Sequence, residues 1–330
     1  MLIFITGLLV AFMLLGGVAI RLAQNELIRS ERETTTEITA RAAAVHWATH
    51  GDPVAAGRHS QEFATANVNS AASAQNPTAQ VQFGRASWTG TEADGHFHPD
   101  RAPFNSVRVT LPTPPSVNPL ASLGGRTAGA AKERPSITTT VAFRDRDLVW
   151  LIDDSVAQTA ALHRELHRAV GVFFRQLRRT PGETWVGLVV DGEIPQTVVP
   201  LAAASEQQAA RFDTFPDVSA SPPTASFAAG LHTAIELLQE GRPAQHVDKT
   251  VIVLTARSPR LTQPSPAMSA RLTSDAAIIH TVLWNPAARE STRPTRAETR
   301  SGRTFQAADG DQLAAIFRQL ALTVRTVRIE

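Results

Sequence analysis

Residues Leu2 to Ile20 form an uncharged, largely apolar run. As a helix rising 1.5 Å per residue it would span about 28 Å, enough to cross a bilayer. From Arg21 the pattern becomes mixed, rich in Ala, Glu, Gln and Arg, with no Gly or Pro before Gly51. That predicts a helical stalk to about Ala72, broken at Gly51-Asp52-Pro53 and resumed near Ala55. Apolar residues then begin to alternate with polar ones: Val81 and Phe83, next Val107, Val109 and Leu111, and a third run from Ile137 to Phe143. Period two predicts a small antiparallel sheet packed with the stalk. Thr113-Pro114-Pro115 and the Gly/Ala-rich stretch Gly124 to Pro135 are expected to be connections.

From Asp147 the pattern changes again. Leu148 to Ile152 is wholly apolar and ends in Asp153-Asp154, as a strand buried on both faces does. An amphipathic helix from Ala157 to about Arg178 follows. Trp185–Val190 and Gln196–Leu201 read as a hairpin about Asp191-Gly192. Next come a helix at Ser226–Gln239, strands at Thr250–Thr255, Ala277–Leu283 and Arg303–Gln306, and a helix at Asp311–Val324. Alternating strands and helices predict an α/β fold, a doubly wound, mostly parallel sheet with one antiparallel edge strand. The expected organisation is a transmembrane anchor at 1–20, a stalk at 21–75, the small antiparallel region and linker at 76–145, and the α/β domain at 146–330.

Composition narrows the function classes. With 43% hydrophobic and 19% charged residues the chain is made for packed structure. Its pI of about 9.8 reflects arginine chemistry, since Lys132 and Lys249 are the only lysines. The basic residues are scattered and form no run interleaved with aromatics, which argues against nucleic-acid binding. The absence of cysteine excludes disulfides and thiolate chemistry. Arg21, Arg29 and Arg32 follow the apolar run, and by the positive-inside rule they would hold the C-terminal side in the cytoplasm.

Several strings in order, LVWLIDDS, WVGLVVDGEIPQTVVPL, ASFAAGLHTAIELL, TVIVLT and SGRTFQAADGDQLAAIFRQL, are similar to the von Willebrand factor A domain over residues 146–330. The N-terminal half resembles the TadG-like proteins of tight-adherence (Flp) pilus assembly, through the anchor with its Ala-rich helix and through VQFGRASW, FHPDRAPFNSVRVTL and Asn118-Pro119-Leu120. That resemblance implies a single-pass membrane protein with its C-terminal domain outside the cytoplasm, opposite to the arginine count. It also implies protein partners in pilus or secretion machinery.

Factor A-like domains often hold a divalent cation through D-x-S-x-S, a later Thr and a later Asp. Here Asp153 and Ser155 match, and Ala157 takes the second serine's place. The threonine position falls at Ala225, between Thr224 and Ser226, and the last acid at Ala256. The resemblance therefore implies a degenerate metal site of Asp153, Ser155, Thr224 and Ser226, with no tightly held cofactor and at most weak Mg²⁺ or Ca²⁺. Asp153 and Ser155 would alternatively cap the following helix. His163 and His167 lie one helical turn apart, but Glu165 falls about 200° away from His163, unlike a zincin. His96 and His98 would share one strand face and could offer two imidazoles to a metal. There is no nucleophile elbow, Walker loop or dinucleotide fingerprint. The expected function is a non-catalytic, membrane-anchored binding protein. The rivals are a metal-dependent adhesin for an acidic ligand and an enzyme built on His96 and His98.

Overall fold

A computed structural model of the chain describes residues 2–67, 79–88, 95–112, 136–153, 156, 159–213, 227–244, 246–256, 277–284, 297–299, 302–323 and 326–329. The expected connection at Gly124–Pro135 lies outside them. Helix α1 (Leu2–His50) is continuous over 49 residues, about 74 Å at the ordinary rise. Its first half stands clear of the fold, with Phe4, Phe12, Met13 and Leu15 exposed. It is the one helix among the described residues long and apolar enough to cross a membrane. The helix stops where the sequence breaks, at Gly51 with φ +73°. Asp52 Oδ1 then accepts from Val54 and Ala55 N–H to start α2 (Pro53–Asn67).

The second half of α1 is folded in. Ala40, Ala43, Ala44 and Trp47 recur at helical spacing and are buried, joined by Ala56 and Ala64 of α2. Small side chains bring both helices close to an antiparallel sheet made of β1 (Gln80–Trp88), β2 (Gly95–Pro99), β3 (Ser106–Pro112) and β4 (Ser136–Phe143). Trp47 meets Phe83 and Phe143 edge-on, with centroids 5.2 and 5.6 Å away. Arg32, also buried, reaches the carbonyl of Pro112.

After the single residue Arg144, β4 runs into β5 (Asp145–Asp153), the centre of a second sheet. This sheet is flanked by α3 (Ala160–Leu177), α4 (Glu206–Asp213), α5 (Phe227–Gln239) and α6 (Gly310–Leu322). Its other strands are β6 (Thr184–Asp191), β7 (Gln196–Ala203), β8 (Val247–Thr255), β9 (Ile278–Trp284), β10 (Ala297–Thr299) and β11 (Gly302–Ala307). The order is β10-β11-β9-β8-β5-β6-β7. The strands from β11 to β6 are parallel, and both edges, β7 and β10, are antiparallel. One antiparallel edge was expected; the second is three residues long, too short to leave a periodic signature. Trp150 is buried on one face, with Phe173 and Phe317 at 4.9 and 4.4 Å. Val149, Leu151, Val189, Val251 and Val253 pack against α5 on the other.

The last strand, β12 (Thr326–Ile329), leaves the α/β layer and pairs with β4. The first sheet is therefore ordered β12-β4-β3-β1-β2, and the tail of the span read as one domain, 146–330, completes the other sheet. Salt bridges cross the same junction. Arg85 on β1 approaches Asp145 and Glu183 at 3.8 and 3.7 Å, and Arg144 approaches Asp248 at 3.5 Å. The buried Arg146 guanidinium donates to the Ala321 and Thr323 carbonyls and to Thr184 Oγ1.

His280 on β9 gives the fold a pH dependence. Burial, and after it the charge of Arg303, lowers its pKa to about 4, and its Nδ1 accepts the Arg303 N–H at 3.2 Å. The folded state thus resists a proton that the unfolded chain accepts near the ordinary value of 6.5. Stability should be full above that pH and fall by about 3 kcal/mol between pH 6.5 and 4 from this group alone. Urea titrations of wild type and His280→Gln across that range check it: the variant should lack this component. Parallel pH profiles would remove His280 as its source.

Candidate functional site

The chain leaves β5 toward β6 and β7, and returns at β8 to build outward through β9 and β11. The order reverses between β5 and β8, and ligands of open α/β sheets settle outside the carboxyl ends of the strands at such a point. Three polar residues stand there: Asp153 ends β5, Thr255 ends β8 and Asp191 ends β6. Asp153 and Asp191 are in register on neighbouring parallel strands. By strand alternation all three share the face of Val149, Leu151, Val189 and Val253, which α5 covers. All are buried. Thr255 Oγ1 donates to Asp153 Oδ2 at 2.7 Å, tying the two strand ends together across the switch point. Asp191 lies under α5, where a Cβ on Gly230 would fall 2.5 Å from its Oδ1. Glycine at 230 is what lets the helix sit over the carboxylate.

This geometry revises part of the sequence reading. Asp153 is not the N-cap of α3, which begins at Ala160 and is capped by Thr159, whose hydroxyl accepts from Leu162 N–H. The carboxylate instead faces Thr255. Ser155, Ala157, Thr224, Ala225 and Ser226 lie outside the described residues. Ala256 follows Thr255 at the end of β8 and offers no carboxylate. The second acid of the edge is Asp191, which the sequence reading took as a turn residue. Its position as the last residue of a parallel strand, with the same parity as Val189, was the available signal.

The other candidates are dispersed. His163 Nε2 and His167 Nε2 are 3.0 Å apart on α3, while Glu165 points to the start of α6, where a Cβ on Gly310 would lie 2.8 Å from its Oε2. His98 Nε2 is 2.9 Å from Ser87 Oγ, and His96 is exposed on the same strand. Sequence reasoning passed over a third cluster, His46, His50 and His59, where α1 meets α2.

No family model matches the chain, and no curated protein does. Solved structures do. The chain is similar to proximal thread matrix protein 1 from the mussel byssus, with 15% identity, 57% of this chain and 49% of that one covered, and a TM-score of 0.42. It is similar to von Willebrand factor type A from Catenulispora acidiphila, with 16% identity, coverage of 66% and 45%, and a TM-score of 0.37. A third is an aerotolerance-related membrane protein from Bacteroides fragilis, with 12% identity, coverage of 53% and 98%, and a TM-score of 0.37. The chain spans about half the length of the first two. At such scores the neighbours carry no argument about function, and the α/β architecture rests on this chain's own strand order.

Proposed function

We propose that the protein is a non-catalytic, membrane-anchored scaffold whose α/β domain recognises a protein partner at the β5–β8 edge, in a TadG-like role in Flp pilus assembly or surface attachment. The observation that supports this reading is α1. One unbroken helix begins as an exposed apolar segment and ends as the packed spine of the antiparallel sheet, and that sheet passes through one residue into the α/β domain. An anchor so continuous with its head holds a recognition surface at a fixed stand-off from a membrane. Loose tethering would need no such helix.

Residues beyond Arg21 are assigned to the outside of the cytoplasm, against the pull of Arg21, Arg29 and Arg32. Protease added to intact spheroplasts should digest them, and protection until lysis would reverse the topology. In cells, deletion of the gene should impair attachment or pilus assembly. The full chain should restore it and a chain lacking residues 2–20 should not. Unchanged attachment and piliation after deletion would end this reading.

The edge is assigned as cation-independent. Thr255 already occupies one oxygen of Asp153, so dissociation constants for Mg²⁺ and Ca²⁺ should be about millimolar or weaker. Calorimetric titration tests this. Micromolar binding that is lost in Asp153→Asn or Asp191→Asn would favour the metal-dependent adhesin.

A further inference from the structure

Helices α1 and α2 cover one face of the antiparallel sheet, to which Val107, Val109, Val141 and Phe143 point. By strand alternation the other face carries Gln80, Gln82, Arg108, Thr110, Thr138 and Thr140. That face is concave. At one end the two edge strands of the sheet close on each other, where Ile329 of β12 reaches Gly95 of β2 and packs with Ala86, Ala142, Trp88 and Phe97. Toward the other end Gln80, Gln82 and Thr138 are exposed.

Arg108 stands between the two ends. A Cβ on Gly84 would fall 2.7 Å from Phe97 Cε2, so the ring lies across β1 toward β3. Arg108 Cζ sits 4.1 Å from the centroid of that ring, and its Nε donates to Thr140 Oγ1 at 3.1 Å. These two anchors fix the guanidinium and leave Nη1 and Nη2 unused by the described residues. By parity it is the one charged side chain on this face among the described strands. No described carboxylate pairs with it, and burial alone lowers its pKa. A half-buried cation without a counter-charge has more to gain from an incoming anion than a hydrated surface arginine. Hydroxyls and an amide stand around it: Gln82 is opposite Arg108 on β1, and Thr110 Oγ1 and Thr138 Oγ1, one step along the face, are 3.1 Å apart.

We propose that Arg108, with Gln82, Thr110 and Thr138 beside it, binds an acidic polysaccharide through a uronate-type carboxylate. The carboxylate takes the two remaining Nη groups, the planar fork that suits it. The neighbouring side chains decide the class of ligand. They are amides and hydroxyls, which match sugar hydroxyls as donors and acceptors. A protein partner calls for aromatic or apolar anchors at the centre of the contact, and those of this face, Trp88 and Phe97, are already packed with Ile329.

The test titrates the full chain, in detergent or nanodiscs, with a polyuronate oligomer, a neutral glucan oligomer of the same length and polyglutamate. The polyuronate should bind at one site per chain, more weakly as salt rises, and the other two should bind at least about tenfold more weakly. Arg108→Gln should weaken polyuronate binding by about tenfold or more, the loss expected for a charge-assisted pair. Thr138→Val, at an exposed position that keeps a β-branched side chain, should weaken it by about fivefold. It reads the site even if Arg108→Gln unsettles the packing of Phe97. No polyuronate binding, or unchanged affinity in both variants, overturns the proposal. Equal binding of polyglutamate overturns it in favour of an acidic protein segment, and equal binding of the neutral glucan removes the carboxylate. None of these results touches the β5–β8 reading, which concerns the other sheet.

Discussion

Arg242→Ala should destabilise the protein by about 3–5 kcal/mol, the cost of leaving a buried charge without its partner. Asp147, on β5, is fully buried. Its Oδ1 accepts from Arg242 Nε and Nη2 at 2.9 and 2.7 Å, and its Oδ2 from the Arg242 backbone N–H at 2.9 Å. The same guanidinium donates to the Arg146 carbonyl and lies 5.0 Å from the Trp185 ring centroid. Alanine keeps the backbone contact and removes the fork, so the carboxylate loses its charge partner while water stays excluded. Lysine should recover only part of the loss, since a point charge cannot make both bonds. The double change Asp147→Asn/Arg242→Met should cost less than Arg242→Ala alone, because it removes the stranded charge. Denaturant unfolding of the three variants measures this. A loss below about 1 kcal/mol for Arg242→Ala would mean that water reaches Asp147.

The fold was legible where a local pattern reports burial. The break in the long helix was written in Gly51-Asp52-Pro53, and the central strand of the antiparallel sheet in the parity of Val107, Val109 and Leu111. The wholly apolar run before Asp153 marked the central strand. What the sequence hid was non-local. Thr326-Val327-Arg328-Ile329 has two apolar residues and finds its pairing with β4 nearly the whole α/β domain away, so no window around it signals a strand. The eight residues of α4 are mostly polar and were passed over. At the β5–β8 edge Asp153 was visible, but its role as a cap was inferred from a helix start at Ala157, whereas Thr159 supplies the cap. Asp191 was hidden by a turn-like Asp-Gly, and the three histidines by the Gly51 elbow that separates them in sequence and joins them in space.

Truncation after Thr323 should cost a further large amount, about 3–5 kcal/mol, and should change how the protein unfolds. Ile329 is buried with Ala86 and Ala142, beside Trp88 and Phe97, and loss of such a side chain alone costs about 2–5 kcal/mol. Gly95 marks how closely it fits, since a Cβ there would lie 2.9 Å from Ile329 Cγ2. Thr326 to Ile329 also pair with Phe143 to Thr140, so truncation strips the edge of β4 and leaves its N–H and C=O groups open to pairing with another chain. The larger consequence concerns cooperativity. The two sheets are joined by Arg144 and, a second time, by the short passage from α6 into β12. Cutting the second connection leaves the first sheet tied to the α/β domain, among the described residues, through Arg144, the salt bridges around Asp145 and the contact of the Gly51 elbow with Arg179. Wild type should unfold in one transition, with fluorescence of Trp47 and of Trp150 coincident when each is read in a variant that keeps it as the single one of the five tryptophans. The truncated chain should show the Trp47 signal moving first, at lower denaturant, and should self-associate as concentration rises. Coincident transitions at the wild-type midpoint would mean that β12 adds nothing to the first sheet, and that the remaining connection and contacts couple the two.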